Sequence, residues 1–253
     1  MVQSLTVVGG NFTPPGTVVG LVTAPSTGIS SSLNTSLQSL LTSISGAASL
    51  GIVNFENIDL ATVSGNVTPT VGGFSTGLLD LSNTNPDGST VAGTANASLT
   101  VPTGYNALFV QAPGTETISA NASNFLAVFG DNSTVNFSAN GSGTVVASSS
   151  GDDVGLLGSA WSFVGSSRGG DSVNLGASNS AVSVYGPLEN VVGLGGTGET
   201  VQSYGSNDLI DVFTNSSGVV SMNGGGNVLV DGGASTVYAT AGSTSVNAFF
   251  EHN

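Results

Sequence analysis

Four acidic residues recur at nearly constant distance in the second half of the chain. Asp153, Asp171, Glu189 and Asp208 are separated by steps of 18, 18 and 19, and Asn227 comes one more such step along. A fifth acid, Glu199, stands between the last two of them. Carboxylates at such spacing can do two things. Stacked on one edge beside open glycine carbonyls, they supply the oxygen ligands that a hard cation needs. Otherwise they form a solvated acidic stripe that keeps the chain soluble. Like charges about 5 Å apart repel, which favours a cation on that edge.

Other catalytic chemistry is poorly supplied. His252 is the only histidine and lies at a position where chains fray, so a Ser–His–Asp triad built on it is a weak expectation. Arg168 is the only cationic side chain; three residues before Asp171, it suits a local ion pair better than transition-state stabilisation. Asp152 with Asp153, or Asp208 with Asp211, could be read as paired carboxylates for glycoside hydrolysis. Adjacent acids are common at turns, however, and the single tryptophan, Trp161, makes no aromatic sugar platform. The sequence predicts a protein that is not an enzyme.

The elements that must position these acids are short strands. Val173, Val182, Val191, Val201, Ile210, Val219, Val228, Val237 and Val246 return at almost every ninth position. A second apolar or small side chain often follows two positions on, with polar residues between. That period-two alternation gives a strand with one buried face, and the Gly, Ser, Asn and Asp between units supply turns. A fixed short period with one strand per unit marks a β-solenoid. One such unit cannot close a coil, so two units make a coil of about 18, and the acid spacing favours this two-sided form over a three-sided coil of about 27.

We expect an all-β protein with a parallel β-solenoid over residues 101–253, its regular part after Ser172, and an irregular N-terminal β region over residues 1–100. Within the latter, Leu33, Leu37, Leu40, Leu41 and Ile44 lie on one face of a helix predicted near residues 30–50. Strand candidates are Leu5–Val8, Val18–Val22, Ile52–Phe55, Asp59–Val63, Gly77–Leu81 and Ala97–Val101.

The units Asp171-Ser-Val173, Glu189-Asn-Val191, Glu199-Thr-Val201 and Asp208-Leu-Ile210, with Gly169-Gly170, Gly195-Gly196-Thr-Gly198 and Gly224-Gly225-Gly226 nearby, resemble the RTX (hemolysin-type) nonapeptide β-roll. The likeness covers the last third of the chain, and most units lack the acid. It implies calcium as cofactor, with Asp153, Asp171, Glu189, Asp208 and Glu199 as candidate ligands. It also implies a bacterial, extracellular or cell-surface protein exported without a cleaved signal peptide, of the kind found in S-layers and biofilm matrix.

Composition narrows the partners. One Lys or Arg against 15 acids gives a net charge of −14. Such a chain repels phosphate backbones and anionic lipid, so neither nucleic acid nor a membrane surface is an expected partner. No stretch has the roughly 20 apolar residues that span a bilayer, and without cysteine there are no disulfides. The expected partner is a second copy of the chain, and beyond it cell-surface or matrix polysaccharide. The strand Ser245–Phe250 carries Val246, Phe249 and Phe250 but no Lys or Pro to block its edge, while Leu5, Val7 and Val8 form a β-prone segment able to add to a neighbour. Head-to-tail assembly into filaments or a layer, assisted by calcium, is the function expected. The alternatives are a monomeric calcium- or carbohydrate-binding adhesin module and, less favoured, a polysaccharide-modifying enzyme.

Overall fold

Alternating apolar and polar residues do form strands, and the strands stack. The computed structural model describes residues 3–8, 18–24, 54–59, 65–69, 77–82, 96–110, 115–120, 125–129, 134–147, 150–166, 168–231, 234–240 and 242–249. Twenty strands, from β3 (Asn54–Asp59) to β22 (Thr244–Phe249), alternate between two ten-stranded sheets. Sheet I runs from β4 (Gly65–Val67) to β22, and sheet II from β3 to β21 (Ala234–Ala239). Neighbours in both sheets are parallel. The chain is therefore a two-sided parallel β-solenoid, with one strand of each sheet per coil.

Coil length follows from the register. In sheet I the ladder partners Ile118, Phe137, Val154, Val173, Val192, Ile210 and Val228 succeed one another, so successive coils step along the chain by 19, 17, 19, 19, 18 and 18. In sheet II, Val145, Phe163, Val182, Val201 and Val220 do the same. The side chains of Ile118, Val154, Val173, Val192, Ile210 and Val228 from sheet I and of Val145, Phe163, Val182, Val201 and Val220 from sheet II, with Leu156, Leu175, Val184, Leu194, Val212 and Met222, fill the space between the sheets. Val182, Val201, Ile210 and Val228 point inward as expected, and Val237 packs partly against the same core.

A count of nine drifts off this register. Val191 and Val219 are 37% and 39% exposed, because the longer coils move the inward position one residue on, to Val192 and Val220. The extra residue lies in the turn from sheet II to sheet I, where Phe163 to Val173 and Val182 to Val192 span ten positions against nine from Val201 to Ile210, while from Val154 to Val201 the opposite turn keeps one length and one conformation. Ala160 (φ 61°), Asn179 (φ 64°) and Gly198 (φ 71°) share the left-handed conformation. They follow one another on successive coils, through backbone bonds from Ala160 to Ser178 (3.3 Å) and from Asn179 to Thr197 (3.0 Å).

The ladders do not begin near residue 100, where the solenoid was expected to start. They reach back to Asn54 through β3, β4, β5 (Gly77–Ser82) and β6 (Asn96–Val101). Long connections hide the period there: Val67 pairs with Leu99 and Leu78 with Ala107, steps far longer than any in the later coils. The helix expected near residues 30–50 lies outside the described residues. Separate from both sheets, β1 (Gln3–Val8) pairs antiparallel with β2 (Val18–Ala24).

Candidate functional site

The inward pairs of sheet I read Val154/Leu156, Val173/Leu175, Val192/Leu194, Ile210/Val212 and Val228/Val230. Two residues before each pair stand Asp152, Asp171, Asn190, Asp208 and Gly226. These precede or open β12 (Asp153–Leu156), β14 (Ser172–Leu175), β16 (Val191–Leu194), β18 (Asp208–Val212) and β20 (Gly226–Asp231). An inward strand position continues at this point into the turn, so the polar side chain lies at the edge of the core. Asp152, Asp171, Asn190 and Asp208 are all buried.

A hydrogen-bonded column links the four. The backbone N–H of each of the first three donates to the side chain on the next coil: Asp152 to Asp171 Oδ1 (3.4 Å), Asp171 to Asn190 Oδ1 (3.1 Å), Asn190 to Asp208 Oδ1 (3.2 Å). Asp208 is the best satisfied, since Asn190 Nδ2 also donates to Oδ1 (2.7 Å) and Ser203 Oγ donates to Oδ2 (2.5 Å). Asn190 Nδ2 further donates to the Tyr185 carbonyl (3.0 Å). Asp171 accepts a second N–H, from Ser166, on Oδ2 (3.2 Å). Asp152 differs from the rest: it is 1% exposed and neither carboxyl oxygen has a hydrogen-bond partner.

Burial without compensating donors favours the neutral acid. Desolvation, with the Asp171 charge second, pushes Asp152 up to about 8. Desolvation also lifts Asp171, to about 6, against the N–H bonds that lower it. The opposite edge has one such group. Glu199 follows Ser180 in the sheet II column, accepts the Gly196 N–H on Oε1 (3.2 Å), and leaves Oε2 buried without a partner. Burial pushes it up to about 7.

The five acids expected to hold calcium are thus divided. Asp171 and Asp208 share a column, but Asn190 stands between them. Asp153 is half-buried and Glu189 exposed, each one residue beside the column, because the coils here step by 19 where the sequence count used 18. Glu199 lies in the other sheet. Calcium takes six to eight oxygens, whereas both oxygens of Asp208 and of Asp171 already hold donors, and no three acidic or imidazole groups converge among the described residues. This donor set does not fit calcium. Sequence reasoning missed Asn190 and Ser203 and weighed Asp152 only as one of a carboxylate pair with Asp153; the signal that places Asp152 and Asn190 in the column is the apolar pair two and four residues later.

The second feature is the end of the solenoid. Among the described residues, β21 pairs only with β19 (Ser217–Met222) and β22 only with β20, so each presents an outer edge that no described strand pairs. Val246 continues the inward line from Val228, yet it is 49% exposed, and Tyr238 and Phe249 are 55% and 60% exposed. Nothing among the described residues covers this coil. Leu5, Val7 and Val8 are paired within their own chain, to Val22, Gly20 and Val18. Phe250 and His252 lie outside the described residues. Comparison with protein-family models, curated proteins and solved structures found no match for this chain.

Proposed function

We propose that the protein is a structural subunit that works outside the cell and polymerises head-to-tail, β3 and β4 of one copy adding to β21 and β22 of the next. The observation that carries this reading is the uncovered last coil, with both edges unpaired among the described residues and Val246, Tyr238 and Phe249 exposed. The two ends are compatible. β3 belongs to the same sheet as β21, and β4 to the same sheet as β22. Translation of a copy along the solenoid axis therefore continues both ladders in the parallel sense they already have. Such a contact is heterologous and does not close, so it propagates as a fibre. Natural edges are usually blocked by Lys or Pro, and β21 and β22 contain neither. A lattice of such rods makes a surface layer or matrix whose sides are free of lysine.

The test is a double variant, Val246→Lys with Phe249→Lys, compared with the unaltered protein by light scattering and negative-stain microscopy. Fibres or large oligomers are expected from the unaltered chain and monomers from the variant. An unaltered chain that stays monomeric at high concentration overturns the reading.

A further inference from the structure

We propose that the Asp152–Asp171 edge is a proton-binding site, and that the solenoid is a fold stabilised by acid and loosened as the solution becomes neutral to alkaline. Two observations of geometry carry this. Asp152 has both oxygens buried with no donor in reach, and the next group in its column is another buried carboxyl, Asp171. An ionised carboxylate in such a place is unpaired, which is among the most costly arrangements a fold can contain. A proton converts Asp152 from two bare acceptors into one donor and one acceptor and ends its repulsion with Asp171.

The surroundings supply no other counter-charge. On its own strand the neighbour is Asp153, also acidic. On the preceding coil the column position is Val135, and one coil further it is Glu116. On the following coil it is Asp171, whose oxygens are occupied by the N–H groups of Asp152 and Ser166. Arg168, on the turn before Asp171, is exposed to solvent. The cation that fits two buried carboxyl groups is the smallest one.

Composition makes the effect readable. The chain has no cysteine, one histidine, and Arg168 as its only Lys or Arg. Ordinary carboxylates finish ionising by about pH 6, so the carboxyl groups of the described residues that still titrate near or above that range include the ones burial lifts, Asp152, Asp171 and, on the opposite edge, Glu199. The sign follows from proton linkage. The folded state holds protons that the unfolded chain has already released, so stability falls as pH rises from the ordinary carboxylate range through the folded-state values. This inference concerns the stability of one chain and stands or falls independently of polymerisation.

The experiment is a carboxyl-carbon NMR titration of the 13C-labelled full chain, with thermal melts at about pH 5, 7 and 8.5, on the unaltered protein and on Asp152→Asn. Asparagine already occupies this column at Asn190, so the variant should fold. Expected are at least one carboxyl resonance titrating above about pH 6 that is absent from the variant, and a melting temperature whose fall on the alkaline side is reduced in the variant. Asp171→Asn provides a second check, since removing its charge should move the Asp152 midpoint downward. If every carboxyl resonance ionises below about pH 5, the proposal fails. It also fails if millimolar calcium restores the alkaline melting temperature of the unaltered protein but not of the variant, because the edge would then be a metal site.

Discussion

Replacing Val192 by alanine tests the register of the whole solenoid, because its neighbour Val191 belongs to the same β-branched pair and serves as the control. Val192 is fully buried between Val173 and Ile210, whereas Val191 is 37% exposed. Val192→Ala removes two methyl groups, a transfer loss of about 1.6 kcal/mol at ~0.8 kcal/mol each. A residual void of roughly 50 Å³ adds about 1.2 kcal/mol at ~24 cal/mol per Å³. The expected cost is about 3 kcal/mol, against less than about 0.5 kcal/mol for Val191→Ala. Denaturant unfolding measures both, followed by far-UV circular dichroism and by the fluorescence of Trp161, the only tryptophan and fully buried. Two probes are needed, since coils of a solenoid can open separately. Equal losses at the two positions, or the larger loss at Val191, would refute this register and with it the column through Asp152, Asp171 and Asn190.

Two further outcomes are expected. Ala160 holds a left-handed conformation (φ 61°) at the turn where Gly198 stands two coils later, so Ala160→Gly should raise stability by about 1 kcal/mol in the same denaturant assay. Glu199, pushed up to about 7 by burial, favours the fold fully while protonated and loses that contribution as pH rises from the ordinary glutamate range through about 7. Glu199→Gln should therefore melt higher than the parent at alkaline pH and nearly the same at acid pH; the reverse order would show that the carboxylate is paired.

The architecture was legible because it is written in side-chain alternation, which survives any change in coil length. Strands and the inward residues Val182, Val201, Ile210 and Val228 follow from it, and the two-sided form follows from the recurrence of acids at about 18 residues. The column of acids was not legible at the same level. A step of 18 selects Asp153 and Glu189, while the coils over those residues step by 19 and bury Asp152 and Asn190 instead. One residue in a strand reverses the face, so a single-residue error in the count exchanges a buried carboxyl for an exposed one. Counting from the apolar doublets Val154/Leu156 and Val173/Leu175 would have kept the phase. The early coils escaped notice for another reason. Connections such as the one between Ser82 and Asn96 lengthen the coil without disturbing the ladder, and a period search loses a repeat whose spacing varies.

Because each strand is hydrogen-bonded only to the strands one coil before and one coil after it, tension on the last coil is not shared by the rest of the rod. Pulled from β22, the molecule would peel a coil at a time. Each step would release about 18 residues, or roughly 60 Å of extended chain at ~3.4 Å per residue. A fibre of such subunits would then yield by lengthening before it breaks, and a coil that has peeled can wind back onto the one beneath it, which still presents the same edge.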